Sequence, residues 1–142
     1  MERKVAFEIK KLDNLISRKI CRNLKDGNLN NVSHLQINIL KYLYLNKDST
    51  VYQSDIEKKI AARRSTISGI LKTMEKNNLI KRATSKVDTR KKEVSLTSYS
   101  IKKYDEMEEK IKKFEKELLN GISSEEKKMF FKVIDKLSDN LK

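Results

Sequence analysis

Apolar residues in this chain recur at steps of three and four over most of its length, and only residues 81–97 alternate in steps of two. The first spacing is typical of amphipathic helices and the second of β-strands. The sequence therefore predicts a mainly α protein with one small β-hairpin. Hydrophobic and charged residues each make up 37% of the chain, against averages of about 45–50% and 25%. This balance favours helices with narrow apolar stripes and excludes a collagen, a disulfide scaffold or a membrane protein.

The apolar spacing divides the chain into predicted elements. Helices are expected at about 2–24, 33–46, 54–61, 64–77, 97–120 and 123–141, and strands at 81–86 and 92–97. Residues suited to end or start helices fall at these boundaries. Ser33 with Gln36 and Ser123 with Glu126 are expected as capping boxes, and Thr97 as an N-cap. Gly27 and the pair Asn77-Asn78 can each supply a left-handed C-terminal cap, and Gly121 ends the fifth helix. Val51-Tyr52 is expected to be extended. The predicted core draws on Leu35, Ile39, Leu40, Leu43, Ile56, Ile60, Ile67, Ile70, Leu71, Met74, Val94 and Leu96.

The net charge of +13 favours an anionic partner, either nucleic acid or a membrane surface. Its distribution separates the two. Residues 1–52 carry a net +5, residues 53–97 a net +7 and residues 98–142 a net +1. A membrane-binding helix would instead concentrate Lys and Arg opposite a wide apolar face. The excess in the middle third therefore favours nucleic acid, although general solubility also accounts for a basic excess.

The third and fourth predicted helices have the dimensions of a helix-turn-helix, because only Ala61-Ala62-Arg63 lies between them. If the fourth helix buries its apolar stripe, its outer face presents Ser65, Ser68, Gly69, Lys72 and Lys76, with Arg63 and Arg64 at its start. A recognition helix places such residues at base edges in the major groove, where arginine reads guanine and glycine permits close approach. The alternative is a solvated basic face with no partner.

The predicted hairpin has a basic tip, Asp88-Thr89-Arg90-Lys91-Lys92. A basic side chain on a thin hairpin can reach the minor groove of DNA, where the potential is most negative. Asp88 would oppose that attraction unless it accepts a hydrogen bond from an arginine, either Arg90 or Arg82, and so braces the tip. An ordinary charged turn is the alternative. The order of elements, a helix-turn-helix and then a basic hairpin within the most positive third, favours the DNA interpretation.

In these features the chain resembles the MarR family of winged helix-turn-helix regulators. The resemblance runs from Ser33 to Ile134 and rests on four segments: Gln53-Ser54-Asp55-Ile56, Arg64-Ser65-Thr66-Ile67-Ser68, residues 74–82, and the Asp-x-Arg pattern of Asp88 and Arg90 followed by Val94-Ser95-Leu96-Thr97. It implies a homodimer in which the first and last two helices interlock and two wings clasp a pseudo-palindromic double-stranded DNA operator. The implied organisation is one intertwined domain, with a dimerisation helix and linker at 1–32, the winged helix-turn-helix at 33–97 and dimerisation helices at 98–142.

The resemblance also implies a role for each interface residue. Those expected to touch DNA are Gln53, Ser54, Arg63, Arg64, Ser65, Thr66, Ser68, Lys72, Lys86, Arg90 and Lys91, with Asp88 as the brace of the wing. Of these, Gln53 and Ser54 would meet phosphate and Arg90 would enter the minor groove. The chain departs from the family where Ala61 and Asn78 replace common glycines, where Arg63 replaces a capping serine, and where Ser100 stands at a frequent glycine. Ala and Asn fit such turns at a modest cost.

Other functions find weaker support in the sequence. Cys21 is the only cysteine, so no intramolecular disulfide is expected and the cytoplasm is the default compartment; basic neighbours favour a reactive thiol, but its place late in the first helix argues against a redox switch. His34, beside a capping serine, is expected to be a helix N-terminal residue, since a metal site needs several ligands at defined spacing. No phosphate loop or catalytic pairing is evident, so neither an enzyme nor a cofactor is expected. Tyr42, Tyr44 and Tyr104 suit core packing better than a cavity for a small aromatic or lipophilic effector.

The sequence therefore predicts a homodimeric, sequence-specific DNA-binding transcriptional regulator, a repressor by family resemblance. Two alternatives stay open at this point. One is a non-specific architectural nucleic-acid binder that uses the same wing, and the other is a protein-interaction module whose basic patch is incidental.

Overall fold

The computed structural model describes residues 2–25 and 32–142. Within these residues the chain forms six helices and one antiparallel hairpin: α1 (Val5–Lys25), α2 (His34–Leu45), α3 (Gln53–Ile60), α4 (Arg64–Lys76), β1 (Ile80–Thr84), β2 (Lys92–Leu96), α5 (Ser98–Leu118) and α6 (Ser124–Asn140). The predicted order of elements and the mainly α fold class are confirmed. The predicted cap at Gly27 and the side chain of Cys21 lie outside the described part.

The chain divides into two compact units, Met1–Glu108 and Glu109–Lys142. The core of the first unit lies among α2, α3, α4, the hairpin and the start of α5. Its buried apolar side chains include Ile39, Leu40, Leu43, Ile56, Ile67, Leu71, Met74, Leu79, Ile80, Val94, Tyr104 and Met107. Most of the predicted core is therefore buried as expected, whereas Leu35, Ile60, Ile70 and Leu96 are half-buried.

The start of α2 differs from its prediction. Ser33 Oγ accepts a hydrogen bond from the Gln36 backbone N–H at 3.2 Å, which is one half of a capping box. The other half is missing, because Gln36 Oε1 is buried with no hydrogen-bond partner among the described residues. The Gln36 side chain is only 9% exposed and points inward, so it does not reach back to the backbone of Ser33.

Two non-glycine residues adopt the left-handed conformation at turns of the first unit. Ala61 has φ 56° at the end of α3, and Asn78 has φ 59° after α4. The Leu79 N–H donates to Met74 O at 2.9 Å and closes the end of α4, as the predicted Asn77-Asn78 cap requires. Alanine tolerates this conformation less well than glycine, so the sharp turn before α4 is held by its packing.

The hairpin pairs Ile80 with Leu96 at its base and Thr84 with Lys92 near its tip. The predicted extended piece joins it as a short third segment, because the Val94 N–H donates to Val51 O at 2.8 Å and Tyr52 bridges to Glu93. β1 ends two residues earlier than predicted. Ser85 causes this: it is buried, and its Oγ accepts from two backbone N–H groups of the tip.

In the second unit, the Gly121 turn separates the end of α5 from α6, as predicted, and Gly121 adopts the left-handed conformation with a φ of 78°. The second capping box is complete: Ser123 N–H donates to Glu126 Oε1 at 2.9 Å, and Glu126 N–H donates to Ser123 Oγ at 3.1 Å. On α6, Phe130 is 52% exposed, whereas Ile134 and Leu137 are half-buried. Leu141, which was predicted to lie in the last helix, is instead its C-cap residue and is 88% exposed. No helix in the described part of the chain combines the length and apolar character that a membrane crossing needs.

Candidate nucleic-acid interface

α3 and α4 form a tight helix-turn-helix in the first unit. Asp55 starts α3 by accepting the Tyr52 N–H at 2.8 Å. The turn then closes through the N–H groups of Ala61 and Ala62, which donate to Lys58 O and Glu57 O at 3.3 Å. This turn orients α4 while Ile56 of α3 and the apolar stripe of α4 pack together in the core.

α4 buries one face completely and leaves the opposite face to solvent. Ile67, Leu71 and Met74 have no exposed surface. The opposite face presents short or basic side chains, all exposed: Ser65, Thr66, Gly69, Lys72, Thr73 and Lys76, while Arg64 is exposed at the start of the helix. Such a face can donate hydrogen bonds to acceptors on bases and phosphates. Thr73 also lies on this face, although it was not among the residues predicted from the sequence. It follows Gly69 by four residues, and this spacing places both residues on the same side of a helix.

The first turn of α4 lacks a side-chain cap. Arg63 occupies the N-cap position with φ −68° and ψ 149°, and its side chain makes no capping hydrogen bond. This agrees with the expectation drawn from the absence of a capping serine. The N–H groups of the first helical turn lack a partner within the helix, and the positive end of the helix dipole favours an anion there.

The hairpin tip is a loop closed by hydrogen bonds of its own backbone and of Ser85. Ser85 N–H donates to Lys91 O, and Lys91 N–H donates to Asp88 O, both at 2.9 Å. The Ser85 hydroxyl accepts from the N–H groups of Val87 and Asp88 at 3.2 Å each. These bonds satisfy the backbone within the loop, so the side chains at its tip are free to face outward.

Asp88 braces Arg90 by three hydrogen bonds. Asp88 Oδ1 accepts from Arg90 Nε and from the Arg90 backbone N–H, and Asp88 Oδ2 accepts from Arg90 Nη2, each at 3.1 Å. The side-chain bonds from Arg90, and then its backbone N–H, lower the pKa of Asp88 below its usual value. Because the Arg90 side chain is still 88% exposed, the brace sets its direction without removing it from contact with a partner.

Two further contacts connect the hairpin to the helix-turn-helix. Lys91 Nζ lies 4.8 Å above the centre of the Tyr52 ring, at the start of α3. Arg82 of β1 pairs with Glu75 of α4 at 3.3 Å. Arg82 is therefore not the partner of Asp88, although the sequence had left Arg82 open as an alternative to Arg90. The sequence did not predict a contact between Tyr52 and the wing, because the two are brought together only by the fold.

The start of α5 anchors the base of the hairpin. Thr97 Oγ1 accepts the Ser100 N–H at 3.1 Å, as expected of an N-cap, and donates to Asn78 O at 2.8 Å. The buried Ser100 hydroxyl donates to Leu79 O at 2.6 Å. The departure from glycine at Ser100 thus adds a buried hydrogen bond between α5 and the chain entering β1.

Comparison with known proteins finds a family similar to the part of the chain that contains the helix-turn-helix and most of the hairpin. The model of the MarR family matches residues 32–92, which span α2 through the hairpin tip. Over this region, which is a little under half of the chain, the protein is similar to the MarR family.

Solved structures agree over nearly the whole chain. The S. aureus MepR–DNA complex matches with a TM-score of 0.87 and 24% identity, covering 99% of this chain and 100% of MepR. Heme-free PefR matches with a TM-score of 0.76 and 28% identity, covering 96% and 99% of the two chains. PefR from Streptococcus agalactiae in complex with heme gives 0.66 and 27%, covering 98% and 95%.

The predicted MarR-type contact residues are distributed as follows. Ser54, Arg63, Arg64, Ser65, Thr66, Lys72, Lys86, Arg90 and Lys91 are exposed, whereas Gln53, Ser68 and Asp88 are half-buried. α4 and the wing thus present two separate exposed basic surfaces. Ser68 lies beside the core stripe of α4, so it offers less surface to a partner than its neighbours do.

Tyr44 and Tyr104 pack on each other instead of lining a space. Their ring centroids lie 4.3 Å apart with a 30° tilt, between α2 and α5. The Tyr44 hydroxyl donates a hydrogen bond to Asp105. This bond raises the pKa of Tyr44 to about 12, and burial raises the pKa of Tyr104 to about 12. Both phenols therefore stay neutral and act in packing, as the sequence analysis favoured.

His34 joins α1 to α2. Its Nδ1 lies 3.2 Å from Ser17 Oγ and 3.8 Å from Asp13 Oδ1. Among the described residues, no group of three or more His, Cys, Asp and Glu side chains is arranged to hold a metal ion. The contact is a polar junction between two helices.

Proposed function

We propose that this protein is a homodimeric transcriptional regulator, acting as a repressor, that binds specific double-stranded DNA. The observation that carries the proposal is the exposed Arg90 held by Asp88 at the tip of the wing, next to a recognition helix with a polar outer face. Both lie in the most basic third of the chain. MepR, a structural relative, has been crystallised in complex with DNA.

In the proposed complex, α4 enters the major groove and the wing reaches the adjacent minor groove. Arg63, Arg64, Ser65, Thr66, Ser68 and Lys72 are the proposed contacts of α4 and its N-terminus. Gln53 and Ser54 are assigned to phosphate, Arg90 to the minor groove, and Lys86 and Lys91 to the flanking backbone. The open N-terminus of α4 fits a phosphate oxygen, because its N–H groups and dipole favour an anion.

Dimerisation is proposed through α1, α5 and α6. Both units leave large apolar side chains exposed on these helices: Val5, Phe7, Ile9, Leu12 and Leu15 on α1, Leu118 on α5, and Met129, Phe130, Phe131 and Val133 on α6. Large apolar side chains left exposed on one helix face are costly in water, and extended patches of them typically mark an interface. A second copy of the chain is the proposed cover, and the two recognition helices would then lie about 34–36 Å apart, one turn of DNA.

The proposal includes regulation by a small aromatic or lipophilic ligand, supported by PefR, which is a heme sensor. An effector that changes the spacing between recognition helices would release the DNA. The proposed site of action is the cytoplasm, and no catalysis is assigned to the protein.

Selection of bound sites from genomic fragments tests the proposal, followed by titration of a selected duplex and of random DNA of equal length. We expect a preferred pseudo-palindromic site bound by two protomers. The affinity should fall with salt, with a log–log slope near −0.9 per phosphate neutralised. Equal affinity for random DNA would support the architectural alternative, and absence of a complex at physiological salt would support a protein-interaction module.

A further inference from the structure

Gly69 occupies the outermost position of α4. The buried stripe of Ile67, Leu71 and Met74 has no exposed surface, and Gly69 lies on the opposite, exposed side. It stands four residues after Ser65 and four before Thr73, so these three residues form one row along the helix. Gly69 is therefore the centre of the face that α4 presents to its surroundings.

Nothing within the described protein requires a glycine at this position. Gly69 lies in the interior of a regular helix, away from the left-handed conformation that favours glycine. A Cβ built on Gly69 would have no heavy atom within 4 Å. Because glycine weakens a helix interior relative to alanine, this position carries a cost that the fold does not explain. A surface that approaches α4 from beyond the described residues would explain it.

The side chains around Gly69 are consistent with close approach. Ser65, Thr66 and Thr73 are short, and Thr73 Oγ1 donates back to Gly69 O at 3.3 Å, which keeps the Thr73 side chain folded against the helix. Short hydroxyl side chains reach base edges only if the helix backbone itself comes close to the base pairs. Lys72 and Lys76 border the row and suit the phosphates on either side.

We propose that Gly69 is the point of closest approach between α4 and DNA, and that it determines specificity by letting the helix lie deep in the major groove. This inference rests on the proposed function and identifies the position that sets the depth of α4. A side chain at position 69 would lift the helix and separate the short hydroxyls from the bases. The effect should therefore grow with side-chain volume.

The test compares Gly69→Ala and Gly69→Val with the wild-type protein, by duplex titration and thermal unfolding. We expect Gly69→Ala to raise Tm by about 2–4 °C, since alanine favours the helix, while it weakens binding to the selected duplex by about tenfold or more. Gly69→Val should weaken binding further with a smaller gain in Tm, because valine has a lower helix propensity than alanine.

Asn38→Ala is the matched control. Asn38 is exposed in the interior of α2, so alanine there also raises helix propensity, yet it should leave DNA binding unchanged. Unchanged affinity in both Gly69 variants would overturn the inference. The inference would also be overturned if DNA affinity fell in Asn38→Ala as well, in proportion to the change in Tm of each variant. Failure of the wild-type protein to bind any selected duplex would instead reject the proposed function, so the two failures are distinct.

Discussion

At the scale of single residues, the wing depends on how Asp88 positions Arg90. The guanidinium makes two side-chain hydrogen bonds to Asp88 and still exposes most of its surface. An arginine on a flexible tip would lose side-chain freedom on entering a groove. The brace removes part of that freedom in advance, so in the proposed complex the carboxylate would favour binding although its charge opposes DNA.

Arg90→Ala should weaken binding to the selected duplex by about 1–3 kcal/mol and leave Tm nearly unchanged, because the side chain is exposed. Lys110→Ala, which removes the same charge from an exposed position of the second unit, should have a smaller effect. Titration of both variants at one salt concentration makes the comparison. Equal affinity of Arg90→Ala and wild type would remove the wing from the proposed mechanism.

Tyr44 gives a residue-scale prediction on pH. Its pKa of about 12 arises first from the hydrogen bond to Asp105, so Asp105→Asn should shift its titration toward the ordinary value near 10. Burial is the first cause for Tyr104, and its titration should change less. Tyrosinate absorbance against pH measures both, with Tyr44→Phe and Tyr104→Phe assigning the two steps.

The raised pKa values of Tyr44 and Tyr104 make the free energy of unfolding depend on pH in the alkaline range. The folded state holds the phenolic protons more tightly than the unfolded state does. The corresponding stability is complete below about pH 10 and is lost as the pH rises toward about 12. Alkaline unfolding should therefore begin at lower pH in Asp105→Asn than in wild type. Identical profiles would show that the Tyr44–Asp105 bond does not contribute.

At the scale of elements, the turn between α3 and α4 sets the direction of the recognition helix. Two alanines and an arginine form it, and Ala61 takes the left-handed conformation that glycine would adopt more easily. Packing of the two helices in the core compensates for this cost. Arg63 then begins α4 without a side-chain cap, which leaves the helix terminus to an external acceptor.

Ala61→Gly should raise the free energy of unfolding by about 1 kcal/mol, because glycine adopts the left-handed conformation without the steric cost of a Cβ. The gain is reduced by the greater entropy that glycine has in the unfolded chain. Ala62→Gly is the control: its φ is not positive, so it should lower the stability. Urea unfolding measures both variants. A loss of stability in Ala61→Gly would contradict this account of the turn.

At the scale of the whole molecule, the exposed apolar faces of the terminal helices need a partner. In the second unit, Phe130 and Phe131 of α6 lie 5.8 Å apart by ring centroid and are each about half exposed. The helix itself is well capped and regular. A regular helix with exposed apolar side chains is typical of a subunit interface.

Phe130→Glu should therefore convert the dimer to monomer or weaken it by at least about tenfold, because it places a charge in the proposed apolar interface. Lys132→Glu, at an exposed position already charged, should leave the dimer intact. Light scattering coupled to size exclusion gives the mass, and duplex titration should show weaker binding by the monomer. A dimeric Phe130→Glu would exclude α6 from the interface.

Much of this molecule was predictable from local patterns. Apolar spacing located all the helices and strands of the described residues to within a few positions, and the caps at Asn78, Thr97 and Ser123 followed from short-range chemistry. The Asp88–Arg90 brace was predictable for the same reason, since the two residues are only two apart. Gln36 shows the limit: its sequence spacing suits a capping box, but tertiary packing turns its side chain inward.

The sequence by itself determined the order of elements, the helix-turn-helix with its basic hairpin, and the exposed arginine, because each depends on neighbours within a few residues. Only the tertiary structure decided that Arg82 pairs with Glu75, that Lys91 stacks over Tyr52, and that Ser100 bonds to Leu79. It also showed that, within the described part of the chain, no heavy atom lies within 4 Å of a Cβ built on Gly69. The physical reason is that such contacts depend on which elements meet in space, and that depends on packing of the whole core.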